Sequence, residues 1–187
     1  MARNTRKKKA QAGLDMTQPF EVFRLLGSVN SHVLKTMADH FQEFLSENPD
    51  MPEGEFEANV VRLSEEALDL TEDFVEGVTQ IFLGNAPDTN YGDWNVERLG
   101  QAIKDELAVV IPTLDPEERG ELNTSEDYVR LAIRLCLQGG LNILMPMIAS
   151  QNEEEMEAAF KQHQEYIVKW TELFTQQRFP REMLVMQ

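Results

Sequence analysis

Cysteine and histidine are scarce in this chain of 187 residues, and their scarcity excludes several kinds of site. The single cysteine, Cys136, excludes an intramolecular disulfide and fits a protein of a reducing compartment. A structural zinc site needs a set of Cys and His residues at short spacing, which Cys136 alone does not provide. The only histidines are His32, His40 and His163.

The chain also lacks the motifs that usually mark an active site. The Glu-x-x-His pattern of di-iron helical bundles is absent, because Val29, Met37 and Phe160 stand three residues before the histidines. His-Glu-x-x-His, Gly-x-Ser-x-Gly and the Gly-x-x-x-x-Gly-Lys phosphate loop are absent too. The sequence therefore predicts a non-enzymatic protein with no catalytic residues, no cofactor and no metal site.

Basic residues are rare after the first nine positions. Five of the 17 basic residues stand there: Arg3, Arg6, Lys7, Lys8 and Lys9. Residues 10–187 hold the remaining 12 basic side chains and all 33 acidic ones, a formal charge of −21. A body of this charge repels nucleic acid and anionic membranes and suits a basic partner.

No stretch of the chain has the composition of a membrane span. The most apolar segment, residues 128–149, contains Arg130 and Arg134, and each arginine costs a few kcal/mol at the centre of a bilayer. No apolar segment follows the basic N-terminus, so no secretory signal is evident. We expect a cytoplasmic protein, or an intracellular one such as a protein within a virus-infected cell.

The same apolar segment predicts the centre of the fold. Asp127, Arg130, Arg134, Gln138 and Asn142 are spaced by three or four residues and form one narrow polar stripe on a helix. The rest of the helix surface is apolar, a pattern typical of a helix surrounded by protein. A cluster of two arginines on such a helix suggests either ion pairs or a clamp for an anionic ligand.

Glycine and proline interrupt this helix of about residues 125–150. Gly139 and Gly140 allow a close approach by another helix or a kink, and Pro146 removes a backbone donor. We therefore predict a kinked or two-part helix. Either Asn123 with Glu126 or Thr124 with Asp127 is expected to cap its beginning.

Helical periodicity continues through most of the remaining chain. Further helices are predicted at about residues 18–47, 53–83, 95–111 and 152–178, with Asp115-Pro116 opening a short turn and Asn152 capping the last helix. A turn-rich segment, residues 84–95, fails as a calcium loop because Gly92 stands one position early. We expect Tyr91 and Trp94 to hold it against the core.

Together these patterns predict an all-α protein with a single helical-bundle domain. Five or six helices should surround the buried helix at about 125–150. The expected organisation is a disordered basic arm at 1–16, the bundle at 17–179 and an apolar C-terminal tail at 180–187.

Several apolar side chains exceed what a small core needs and predict contacts with other subunits. The helix at 53–83 has two apolar rows, and the last helix has an aromatic stripe interrupted by His163. We predict a homo-oligomer that also binds another protein. Its candidate partner contacts are Arg3, Arg6, Lys7, Lys8, Lys9, Trp170, Phe174, Met183, Leu184 and Met186.

Three functions follow from these patterns. The first is an assembly protein: an oligomeric adaptor, scaffold or accessory subunit, bacterial or viral in style. The second is a nucleic-acid-associated protein that uses residues 2–9. The third is a small-ligand-binding protein or enzyme that uses Arg130, Arg134 and His163, with Gln138 and Asn142 completing an anion or ligand stripe.

Overall fold

The computed structural model describes residues 13–149 and 152–186, and these residues form seven α-helices and no β-strand. The helices are α1 (Pro19–Glu47), α2 (Glu53–Asp69), α3 (Glu72–Phe82), α4 (Val96–Glu106), α5 (Pro116–Glu121), α6 (Ser125–Ala149) and α7 (Glu153–Thr175). Two short 3₁₀ helices follow α4 and α7, at Ile111–Thr113 and Arg181–Met186. The predicted all-α fold is confirmed.

Helix α6 lies at the centre of the bundle and contacts α1, α3, α4 and α7. Its buried apolar side chains cover most of its circumference: Val129, Leu131, Ala132, Ile133, Cys136, Leu137, Leu141 and Leu144. Arg130, Arg134, Gln138 and Asn142 are exposed and follow one another at intervals of four residues. The predicted buried helix with one polar stripe is therefore present.

The two adjacent glycines of α6 bring neighbouring helices close to its backbone. A Cβ atom on Gly139 would lie 2.1 Å from the hydroxyl oxygen of Tyr166 in α7, and one on Gly140 would lie 2.1 Å from Oδ1 of Asn30 in α1. The predicted close approach is thus confirmed on two sides of α6. The helix continues unbroken through both glycines and Pro146, so the alternative of two separate helices is wrong.

The segment predicted as one helix at 53–83 is two helices, α2 and α3. They separate at Thr71, whose backbone leaves the helical region at φ −107° and ψ 0°. The Thr71 side chain is buried at this junction, and its hydroxyl donates to the Leu68 carbonyl at 2.8 Å. With α5, which was expected only as a turn, this division raises the number of helices to seven.

Side-chain caps begin several helices at the expected residues. Asp115 accepts from the Glu117 amide at 2.9 Å, and Asn152 accepts from the Glu154 amide at 3.0 Å. Of the two caps considered for α6, the structure has Thr124 with Asp127: the Asp127 carboxylate accepts from the Thr124 amide at 2.6 Å. The Thr124 hydroxyl accepts in return from the Asp127 amide at 3.3 Å, which completes a capping box.

The folded part of the chain begins earlier than residue 17. The Met16 amide donates to the Asn90 carbonyl at 2.9 Å, and the Asn90 amide donates to the Leu14 carbonyl at 2.8 Å. The Met16 side chain is fully buried, so the predicted boundary of a disordered arm at residue 16 is wrong for Leu14 to Met16. Residues 1–12 lie outside the described residues.

The loop between α3 and α4 is held by the two aromatic residues expected to do so. Trp94 donates from its indole nitrogen to the Phe82 carbonyl at 3.0 Å, and the Tyr91 hydroxyl accepts from the Ala86 amide at 3.0 Å. Both rings pack against the core. The loop therefore joins the body of the protein instead of extending from it.

The C-terminal segment folds back onto the bundle. Helix α7 ends before Gln176, which has a left-handed conformation at φ 54°, a few residues before the end expected at 178. The Phe179 ring is buried and lies 4.9 Å from the Phe23 ring of α1, measured between centroids. Arg181 forms an ion pair with Glu165 of α7.

Candidate binding groove

The polar stripe of α6 divides into a charged half and a neutral half. Arg130 and Arg134 lie on successive turns in the N-terminal half of α6, and Gln138 and Asn142 lie on the two turns that follow. All four residues are exposed, whereas the remaining sides of α6 contact α1, α3, α4 and α7. Arg130 and Arg134 line one cavity, and Arg134 also lines a second cavity together with Gln138 and Asn142.

Arg130 is held by a carboxylate of α3. Its two terminal nitrogens donate to the two oxygens of Glu76 at 2.7 and 3.1 Å, a bidentate pair. These hydrogen bonds raise the pKa of Arg130 and lower that of Glu76. Both side chains remain nearly half exposed, so the pair contributes at most about 1 kcal/mol to stability.

Arg134 pairs with Glu118 of α5. The two arginines line a cavity of about 200 Å³ that also contains the carboxylates of Glu118, Glu121 and Asp127. Three acidic groups thus oppose two basic ones in this small space, which makes it unfavourable for an anion. The geometry favours structural ion pairs over the anionic clamp considered for these arginines.

The neutral half of the stripe lines a larger groove of about 630 Å³ between α2 and α6, the α2–α6 groove. Its polar lining residues are Ser64, Glu118, Arg134, Gln138 and Asn142. Its apolar lining residues are Met37, Leu68, Leu114, Leu135, Leu137, Leu141 and Met145. The groove therefore has an apolar lining with hydrogen-bonding groups placed among it.

Leu68 is the most informative side chain of the α2–α6 groove. It is 40% exposed on the α2 side of the groove, so part of its side chain is left uncovered by the bundle. Val61, two turns earlier on the same flank of α2, is 68% exposed. These residues belong to the second apolar row predicted for residues 53–83, whose last member, Phe82, is in contrast fully buried.

His163 lies away from the arginines, between α1 and α7. It is 5% exposed, and its Nε2 atom has no hydrogen-bonding partner among the described residues. Burial lowers the pKa of His163 from 6.5 to about 4, so the ring is neutral at physiological pH. No described cavity is lined by His163 together with Arg130 or Arg134, and these three residues do not form one site.

Two cavities flank His163 along the α1–α7 surface, with volumes of about 580 and 350 Å³. Both are lined by Ser31, Phe160 and His163. Phe160 is 50% exposed between them and is the member of the aromatic stripe of α7 that the bundle leaves uncovered. We call Phe160 and the two cavities the Phe160 face.

Sequence reasoning missed a polar residue in the centre of the bundle. Asn30 of α1 is 1% exposed and donates its amide nitrogen to the Leu26 carbonyl at 3.1 Å, one turn earlier. It lies beside the Cys136 thiol. Burial raises the pKa of this thiol, and the hydrogen bond with Asn30 acts in the opposite direction and lowers it. The sequence did contain a signal for its burial, because Asn30 lies on the same face of α1 as the apolar residues Leu26 and Val33.

The predicted partner contacts have different surroundings. Phe174 is 2% exposed and lies 4.5 Å from the Phe82 ring, so it is a core residue and is not available to a partner in this structure. Trp170 and Leu184 are partly buried against the core, while Met183 is 39% exposed. Arg3, Arg6, Lys7, Lys8 and Lys9 lie outside the described residues, as does the Met186 side chain.

Residues 13–149 and 152–186 show neither a cluster of metal-binding side chains nor a membrane-spanning helix. No group of three or more His, Cys, Asp and Glu side chains in those ranges is arranged to hold a metal ion. None of the helices in the same ranges has the length and apolar character needed to cross a bilayer.

Comparisons with protein-family models, with curated proteins and with solved structures found no match.

Proposed function

We propose that the protein is a non-enzymatic helical interaction protein that binds a partner protein in the α2–α6 groove. The observation that carries this proposal is the apolar lining of the groove, with Leu68 40% exposed at its edge. Water at an apolar surface costs roughly 25 cal/mol per Å² relative to burial. A partner that covers the lining recovers this free energy.

The shape and chemistry of the groove suit a helical segment. Grooves between helices commonly accept an amphipathic helix through apolar side chains spaced by three or four residues. Met37 and Met145 supply flexible thioether side chains that adapt to such a surface. Gln138 and Asn142 offer side-chain amides, which can fix the register of the bound segment.

The ligand or enzyme alternative has less support. Arg130 and Arg134 are engaged by Glu76 and Glu118, and His163 lies on another surface. The nucleic-acid alternative depends on residues 2–9, which lie outside the described residues. The charge of −21 on residues 10–187 favours a protein partner over nucleic acid.

We also propose that the protein associates with itself through the Phe160 face. A half-exposed phenylalanine between two cavities presents both a protruding side chain and recesses that a second copy can fill. This surface is distinct from the α2–α6 groove, since no described cavity is lined by residues of both. An oligomer formed there leaves the groove free for a partner.

Site-specific photo-crosslinking tests the proposed function. A photoreactive amino acid replaces Asn142 in the α2–α6 groove, and a control replaces Lys169, an exposed residue of α7. In cells that produce the protein naturally, position 142 is expected to give one dominant protein adduct that position 169 does not give. The added substitution Leu68→Arg should remove the adduct, whereas Leu45→Arg should not, because Leu45 is 44% exposed but does not line the groove.

Two results would contradict the proposal. One is the absence of any protein adduct from position 142 under conditions where crosslinking to a control protein succeeds. The other is the same set of adducts from positions 142 and 169, with no effect of Leu68→Arg.

A further inference from the structure

We infer that the partner segment bound in the α2–α6 groove is a basic amphipathic helix. This inference rests on the proposed function and adds the chemistry of the partner. It follows from the charges of α2, α3 and α6, together with the apolar lining already described.

The basic residues of these three helices are all engaged by carboxylates. They are Arg62 in α2 and Arg130 and Arg134 in α6. Helix α3 has no basic residue. Arg62 pairs with Glu66 at 2.5 Å, and the α6 arginines pair with Glu76 and Glu118. No arginine or lysine of these helices is thus left to attract an acidic partner.

Exposed carboxylates stand near Leu68 in the chain, on α2 and at the beginning of α3, although α3 itself does not line the groove. Glu65 and Asp69 flank Leu68 on α2, and Glu72 and Asp73 begin α3. Leu68, which lines the groove, therefore has acidic neighbours along the chain. A segment with an apolar face and flanking Lys or Arg residues complements both features.

Other occupants satisfy only one of the two requirements. The N-terminal residues 2–9 carry five positive charges, but alanine at position 2 is their only apolar residue. A second copy carries a net charge of −16, so it would be repelled by the carboxylates near the groove. A basic amphipathic helix from another protein supplies both the charge and the apolar side chains.

Designed peptides test this chemistry directly on the full-length protein. The first probe is a basic amphipathic helix of about five turns, with leucines at i, i+3, i+4 and i+7 and lysines elsewhere. The second replaces each lysine with glutamate, and the third keeps the composition of the first in an order that removes the apolar face. A fourth probe is the peptide of residues 1–12. Binding is measured by fluorescence anisotropy at low and physiological salt.

The basic amphipathic peptide is expected to bind at least about tenfold more tightly than the other three, and more weakly as salt increases. Leu68→Arg should weaken it about tenfold or more, and Leu45→Arg should leave it unchanged. The double substitution Glu65→Lys/Asp69→Lys should weaken the basic peptide and strengthen the acidic one. Glu153→Lys/Glu157→Lys, on exposed positions of α7, changes the net charge equally and should have a clearly smaller effect.

Each contrary result overturns a defined part of the argument. Equal effects of the two double substitutions would show that the peptide is attracted by net charge alone. Tightest binding by the peptide of residues 1–12 would show that the N-terminal arm occupies the groove. Either result overturns the inference. If the acidic peptide binds best, or no peptide binds while position 142 still gives its adduct, the partner chemistry is wrong and the proposed function stands. If both peptide binding and the adduct are absent, the proposed function fails as well.

Discussion

The most unusual single residue is His163, a histidine enclosed between α1 and α7 with an unpartnered Nε2 atom. Its folded-state pKa is about 4, below the 6.5 of an unfolded chain. Between these values the unfolded state binds a proton that the folded state excludes. The contribution of His163 to stability is therefore complete above about pH 6.5 and is lost as pH falls towards 4.

The substitution His163→Leu tests this predicted loss of stability at low pH. At pH 4 the wild-type protein should have lost about 3 kcal/mol of its free energy of unfolding through this residue, and the variant should not show that loss. The measurement is urea unfolding of both proteins at pH 7 and pH 4. An equal decrease in stability for the two proteins would show that the imidazole does not titrate in this way. The comparison at pH 7 controls for the change in packing.

At the scale of the helices, the close approaches of α6 determine how tightly the bundle can pack. Gly139→Ala would place a methyl group against the Tyr166 hydroxyl, which donates to the Leu135 carbonyl at 2.8 Å. Overpacking of this kind costs about 1–3 kcal/mol, and loss of the hydrogen bond adds to that cost. Thermal or chemical unfolding should show the destabilisation.

Gly77→Ala is the matched control for Gly139→Ala. Gly77 is also within a helix, α3, but a Cβ atom there meets nothing within 4 Å. Alanine should stabilise that position by roughly 0.5–1 kcal/mol, because it has the better helix propensity. Opposite signs for the two glycines are expected; destabilisation of similar size at both would mean that the contact with Tyr166 is not responsible.

Most elements could be predicted because their signals are local. The cap at Asn152 and the polar stripe of α6 depend only on spacing along one helix. The division at Thr71 could not be predicted, since neither glycine nor proline marks it and the apolar rows continue across it. Thr71 is buried at this junction, and its burial depends on packing between helices that sequence periodicity does not reveal.

Only the α6 side of the candidate site could be predicted, because the α2 side depends on packing between helices. The sequence placed Gln138 and Asn142 on an exposed stripe, but it contained no information that Leu68 of α2 would face them across a groove. The Arg130–Glu76 pair joins residues 54 positions apart and depends on the relative register of α3 and α6. Such contacts between helices follow from the tertiary fold and not from periodicity.

At the scale of the whole molecule, the net charge of −16 affects every association. Two copies that meet through the Phe160 face must overcome mutual repulsion, whereas a basic partner is attracted to the α2–α6 groove. Salt weakens both effects, because it screens repulsion and attraction alike. The two proposed surfaces should therefore respond to salt in opposite directions.

This difference gives a test of self-association. The dimer fraction, measured by analytical ultracentrifugation, should increase between about 50 and 300 mM salt, since the Debye length falls below about 10 Å over that range. Phe160→Ser should abolish the dimer at all salt concentrations, while Val109→Ser should not, although Val109 is 81% exposed. A dimer that survives Phe160→Ser, or that dissociates as salt increases, would place self-association on another, charge-complementary surface. Partner binding in the groove should weaken over the same range, so one salt titration of the complex separates the two associations.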